Sequence, residues 1–118
     1  MRIIFVGIHN KPNTKPLDSG TKSGKLIDKI IENLENYDCI KTNLFDLNEI
    51  PKEIESHQQL WINTHKPSNQ DIIILLGNNV QKYFPQTESK IIKVKHPSVI
   101  WSKQSQDNYV KNILERID

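Results

Sequence analysis

Apolar and polar positions alternate along this chain in blocks of two kinds. Short apolar runs come first: Arg2 to Gly7 and Ile72 to Gly77, which are continuous, and the weaker Tyr37 to Thr42 and 90–95, which charged residues interrupt. A run of that length, bounded by Gly or polar residues, predicts a buried strand. Ile72-Ile73-Ile74-Leu75-Leu76 is apolar at every position, which predicts a central strand covered on both faces. Between the runs the apolar residues fall at helical spacing. Leu26, Ile27, Ile30, Ile31 and Leu34 predict a helix over about 22–36, with Thr21 or Ser23 as its N-cap. A second helix is predicted with Pro51 in its first turn, carrying Ile54, Leu60, Trp61 and Ile62. A short helix over 78–84 follows the third run. Tyr109, Val110, Ile113, Leu114 and Ile117 share one face of a last helix.

The order is therefore βαβαβαβα. Strict alternation predicts a three-layer α/β/α fold with a four-stranded parallel sheet, strand order 2-1-3-4, joined by right-handed crossovers. The winding reverses between strands 1 and 3, and open sheets of this kind bind ligands at that switch point, outside the carboxyl ends of the strands. The unusual polar residues are predicted to lie there. Gly7-Ile8-His9-Asn10-Lys11-Pro12 follows the first run, Thr42-Asn43 the second, Gly77-Asn78 the third and His96-Pro97-Ser98 the fourth.

Composition narrows the class. A chain of 118 residues is read as a single domain, 1–118, with 25% charged residues. No segment approaches the roughly 20 apolar residues of a membrane span, and the short first run does not resemble a secretory leader. With one cysteine, Cys39, a disulfide framework is excluded and a reducing, cytoplasmic setting is expected. The net charge of +2 is unevenly spread. Residues 11–29 hold five lysines against two aspartates, and residues 90–103 hold four lysines and no acid. Residues 30–60 hold seven acids against two lysines. The basic excess surrounds the first loop and the His-Pro-Ser loop, as an anionic partner such as a nucleic-acid backbone would favour.

Two nucleotide motifs fail. Gly20-Thr21-Lys22-Ser23-Gly24-Lys25 has one residue too few between its glycines for a phosphate loop, and Leu26 stands where a magnesium-binding hydroxyl is needed. The loop after the first strand lacks the glycines of a dinucleotide fingerprint. His9, His57, His65 and His96 lack the close pairing of a zinc site, and His57 and His65 are expected to face solvent on a helix. No metal or cofactor is expected.

Taken together, the four strand-end elements resemble the uracil-DNA glycosylase superfamily over nearly the whole chain. Gly7 to Pro12 is similar to its Gly-x-Asn-Pro or Gly-x-Asp-Pro turn. Pro16-Leu17 through Ser23-Gly24-Lys25-Leu26-Ile27-Asp28, Lys41-Thr42-Asn43-Leu44, Leu75-Leu76-Gly77 and His96-Pro97-Ser98 resemble further motifs of its iron–sulfur class. That class needs four cysteines and this chain has one, so no cluster is implied. The first turn is one residue longer than the family's, which leaves either Asn10 or His9 at the water-positioning place. Leu17 stands where the family has a base-stacking aromatic.

What the resemblance implies is base removal from DNA. Asn10 and His96 would be catalytic, Asn10 orienting water and His96 donating to a uracil carbonyl as negative charge builds on the leaving base. Gly7, Ile8, His9, Leu17 and Asn43 would line the base pocket, Asn43 reading the uracil edge with a donor and an acceptor. Lys11, Ser23, Lys25, Lys95, Pro97, Ser98, Ile100, Trp101 and Lys103 would hold the DNA. Val99-Ile100-Trp101 is placed to wedge into the stack while the base is extruded. The expected protein is a monomer that acts on uracil-containing or damaged DNA, with no membrane role. Two other readings compete: a non-catalytic binder of a base or nucleic acid with the same fold, and a flavodoxin-like small-molecule domain.

Overall fold

A computed structural model describes residues 1–9, 16–45, 47 and 49–117. The elements follow in the order β1 (Arg2–His9), α1 (Lys22–Ile31), β2 (Asp38–Phe45), α2 (Ile54–His65), β3 (Ile72–Leu76), α3 (Asn78–Tyr83), β4 (Lys90–Val94), a 3-10 turn (Pro97–Val99) and α4 (Lys103–Ile117). All strand pairings are parallel, and the sheet order is β2-β1-β3-β4, as the alternation of elements predicts.

Successive strand residues point to opposite faces, and each face has its own core. Ile3, Phe5, Ile72, Ile74, Ile92 and Val94 pack with Leu26, Ile27 and Ile30 of α1 and Tyr109, Ile113 and Ile117 of α4. Ile4, Val6, Ile73 and Leu75 pack on the other face with Trp61 of α2 and Val80 of α3. Both faces of β1 and β3 are covered, which is why those runs are apolar at every position.

Several boundaries move. Helix α1 stops at Ile31, although Leu34 beyond it is still buried. Strand β2 continues three residues past Thr42, because Leu44 and Phe45 are both buried in the α2 face. Pro51 lies ahead of α2 rather than in its first turn, and Glu53 takes the N-cap position. In α2 it is Trp61 that is buried, while Leu60 is exposed. His57 and His65 are not solvent-facing. Both are half-buried, His57 edge-on to Phe45 and His65 against Trp61 with ring centroids 4.7 Å apart.

The end of the sheet away from the candidate site is tied by Arg2. Its guanidinium donates to both Asp71 oxygens, at 3.3 and 2.7 Å, and to the carbonyls of His65 and Lys66, at 2.9 and 3.1 Å. Asp71 also accepts from the Ser68 backbone N–H. The Arg2 hydrogen bonds hold the Asp71 carboxyl below its ordinary value of 3.8. His65 is pushed below its ordinary 6.5 by burial and by the nearby Arg2 charge.

Both shifts have the same sign for stability. A depressed carboxyl stabilises the fold above 3.8, and that contribution is lost as pH falls through the lowered folded value. A histidine held neutral likewise loses stability as pH drops below 6.5. The urea midpoint is therefore expected to fall in two stages on acidification, one below pH 6.5 and one below 3.8. Arg2→Ala is expected to cost about 2 kcal/mol at neutral pH, since it leaves a buried carboxylate short of its main partner while the arginine itself is partly exposed. In that variant the lower stage of the urea titration should shrink.

Candidate active site

The site is built where β1, β2, β3 and β4 end. Gly7 pairs in register with Asn43 across β1 and β2. The Asn43 carboxamide lies over the β1 backbone, with its Oδ1 at 2.5 Å from where a Cβ of Gly7 would stand. Asn43 thus sits inside β2, not at its end, and the absence of a side chain at Gly7 is what admits the amide.

On the far side of the sheet, Gly77 ends β3. Its N–H bonds to the Val94 carbonyl at 3.0 Å, and its φ of +100° is one that favours glycine. A Cβ there would stand 3.1 Å from the His96 Cβ, so β3 closes tightly against the base of His96. Three interstrand spacings separate the strands of Asn43 and His96, about 14 Å in all. Lys41, two before Asn43, reaches Asp28 of α1, and Val94, two before His96, is in the α1–α4 core.

The His96 ring is held by the turn that follows it. The Ser98 backbone N–H donates to Nδ1 at 3.1 Å, and Ser98 Oγ lies 2.8 Å from the same nitrogen. A backbone N–H can only donate. Nδ1 is therefore an acceptor, and the proton of the neutral imidazole is on Nε2. Pro97 is buried, and the 3-10 turn packs against α1.

The loop before α1 is clamped from several directions. Thr21 caps α1, accepting from the Gly24 N–H at 3.0 Å and donating to the Asp18 carbonyl at 2.7 Å. Asp18 Oδ1 accepts from the Gly20 N–H at 2.8 Å. Lys41 Nζ rises from β2 to the Leu17 carbonyl at 2.9 Å, to Ser19 Oγ at 3.2 Å and to the Asp28 carboxylate. Partial burial opposes the Asp28 charge, but the hydrogen bonds from Lys41 and Ser19 outweigh it and hold that carboxyl below 3.8. In the sequence Lys41 enters only within the Lys41-Thr42-Asn43-Leu44 motif and has no role of its own, because β2 also carries Asp38, Thr42 and Asn43 and its pattern does not set this lysine apart.

The expected site residues separate into groups. Gly7 and Asn43 meet across β1 and β2, His9 ends β1 beside Phe45, and His96 stands just past β4, while Ile8 packs against the α2–α3 core. Asn10 and Lys11 lie outside the described residues. Leu17 has a φ of +49° and packs against the α1–α4 core. Ser23 is in the first turn of α1, and Lys25 is exposed on the same helix. Lys95, Ser98 and Lys103 are exposed around the His96 turn. Ile100 is half-buried against the core, whereas Trp101 is 74% exposed, its Nε1 donating to the Ser98 carbonyl at 2.6 Å.

A Gly7→Ala variant is expected to fold, because the group it meets is the free end of a side chain. It should displace the Asn43 amide, lowering substrate turnover about 10-fold or more for one lost positioned group, with a melting temperature close to wild type. Paired thermal melts and activity assays check this.

A four-stranded parallel sheet between two helical layers, with Gly7 and Gly77 at neighbouring strand ends and His96 held by the turn after β4, defines the class as a three-layer α/β/α domain with its candidate groups at the switch point. Residues 1–118, the whole chain, match the model of the uracil DNA glycosylase superfamily, and the chain belongs to that superfamily. Comparison with curated proteins and with solved structures returned no match. Membership makes a glycosylase-type hydrolase fold, of a family that acts on DNA, the general frame for the site. Among the described residues no helix is long and apolar enough to cross a membrane, and no cluster of His, Cys, Asp and Glu could hold a metal ion.

Proposed function

We propose that this domain hydrolyses the N-glycosidic bond of uracil, or of a related damaged base, in DNA, as a monomer in the cytoplasm. The observation that carries the reading is the His96 turn. With the Ser98 N–H on Nδ1, the imidazole is an Nε2 donor just past the end of β4. As the glycosidic bond loosens, negative charge grows on the base oxygens, and a donor fixed before the reaction lowers the barrier without reorganising. A neutral imidazole suffices, since the base leaves as an anion held by a hydrogen bond.

Asn43, its amide lying beside Gly7, offers one acceptor and two donors, the pattern that matches a uracil edge and mismatches cytosine. In the sequence, Asn10 or His9 remains the group that orients water toward the cationic sugar. Trp101 is the exposed aromatic of the His96 loop and the side chain suited to fill the stack when the base leaves it, a role that half-buried Ile100 is less free to take. Lys25, Lys95, Lys103, Ser23 and Ser98 are the groups we assign to the phosphates, and the three lysines and Ser98 are exposed.

One observation favours the binder reading. Leu17 is held against the core with a left-handed backbone, and offers no ring on which a base could stack. The decisive experiment incubates the protein with single- and double-stranded oligonucleotides carrying one uracil, followed by alkali. Strand breaks that vanish in His96→Ala are the expected result. Absence of breaks with folded protein in excess would replace catalysis by base or nucleic-acid binding.

A further inference from the structure

Strand β4 is an edge of the sheet, and α4 closes over it. Tyr109 Oη donates to the Lys95 carbonyl at 2.6 Å, and Arg116 Nη1 to the Lys93 carbonyl at 2.8 Å. Burial raises the Tyr109 pKa, so the hydroxyl stays protonated and remains a donor. With those two carbonyls taken, this edge is poorly suited to pair with another strand.

Between β4 and α4 runs a groove of about 440 Å³, floored by Val94, Ile100 and Tyr109. Its walls carry Lys93, Lys95 and Arg116 together with Asn108 and Asn112, and among the described residues no carboxylate lines it. Lys93 stands on the ridge, since it also borders the cavity on the α3 side. Helical spacing sorts the charges of α4. Asn108, Asn112 and Arg116 follow one another at four-residue steps on one stripe. Asp107, Lys111 and Glu115 form the adjoining stripe, which faces α1 and its Glu32. The acids of α4 are thus turned away from β4.

The groove starts at the candidate active site. Lys95 immediately precedes His96, and Ile100 on its floor follows Ser98. From Ser105 to Arg116 it runs about 16 Å along the helix axis. We infer that the β4–α4 groove binds the sugar-phosphate backbone of the DNA strand flanking the target nucleotide. Two amides and three cations without an opposing acid suit a chain of phosphates, which positions a strand without reading its sequence. This inference rests on the DNA reading of the site but not on catalysis.

The test measures anisotropy of a labelled, undamaged 12-nucleotide single strand at several salt concentrations, with uracil excision assayed separately. Asn108→Glu and Asn112→Glu place a carboxylate in the groove at exposed helical positions, where glutamate favours the helix. Lys111→Gln removes the same unit of charge one stripe away. Each groove variant is expected to weaken binding about 5-fold or more and to flatten the salt slope by about 1. Lys111→Gln should stay within about 2-fold, its charge being partly screened. Equal losses in groove and control variants would overturn the groove, because only net charge would then matter. So would a wild-type protein with no salt-dependent affinity. Groove-dependent binding without excision would leave the groove standing and sink only the glycosylase reading.

Discussion

His96→Ala is expected to lower uracil release by about 100- to 1,000-fold, the range seen when a fixed transition-state donor is removed. The size follows from what the turn does to the ring. An imidazole free to rotate would present either nitrogen to the base and would have to be ordered during the reaction. Here the Ser98 N–H occupies Nδ1 at 3.1 Å, so orientation and tautomer are set before substrate arrives. Single-turnover assays at saturating protein report this loss directly, because it belongs to the chemical step rather than to binding. Ser98→Ala keeps the backbone N–H and is expected to cost much less, about 10-fold at most. If His96→Ala retained wild-type single-turnover rates, the donor role would be wrong.

Much of the architecture was open to sequence reading because it depends on local periodicity. The apolar runs at 2–7 and 72–77 and the helical spacing of Leu26, Ile27 and Ile30 state which residues face inward. Alternation of elements then limits the topology to very few choices. What escaped depends on contacts distant in sequence. Arg2 meets Asp71 across 69 residues, and no pattern near either announces the other. His57 and His65 look like surface residues of a polar helix until β2 supplies Phe45 and the sheet face supplies the setting of Trp61. Asn43 was read as a strand end because Thr42-Asn43 breaks the apolar run. The two buried residues after it keep the strand going, and this places the amide over Gly7 instead of beyond it.

Gly24 shows the same limit and carries the largest expected effect on stability. In the sequence it is the second glycine of a failed phosphate loop. In the structure it lies where the loop before α1 crosses the helix, and a Cβ there would overlap the carbonyl oxygens of Leu17 and Asp18. These are backbone atoms, so no side-chain rotation relieves the clash. Gly24→Ala must push the loop outward. That strains the Thr21 cap, the Asp18 turn and the Lys41 hydrogen bond to Leu17 together. The expected cost is about 3 kcal/mol, at the upper end for overpacking, which corresponds to a melting temperature lower by roughly 10 °C. Gly20→Ala is the control. Its Cβ would meet only Asp18 Oδ1, at 3.2 Å, and the change should stay within about 0.5 kcal/mol. The two variants separate a true close approach from a general dislike of side chains in this loop. If they melted alike, the loop would not be clamped against α1 as described. Because Lys41 ties that loop to β2 two residues before Asn43, Gly24→Ala should also lose more activity at 25 °C than its folded fraction accounts for.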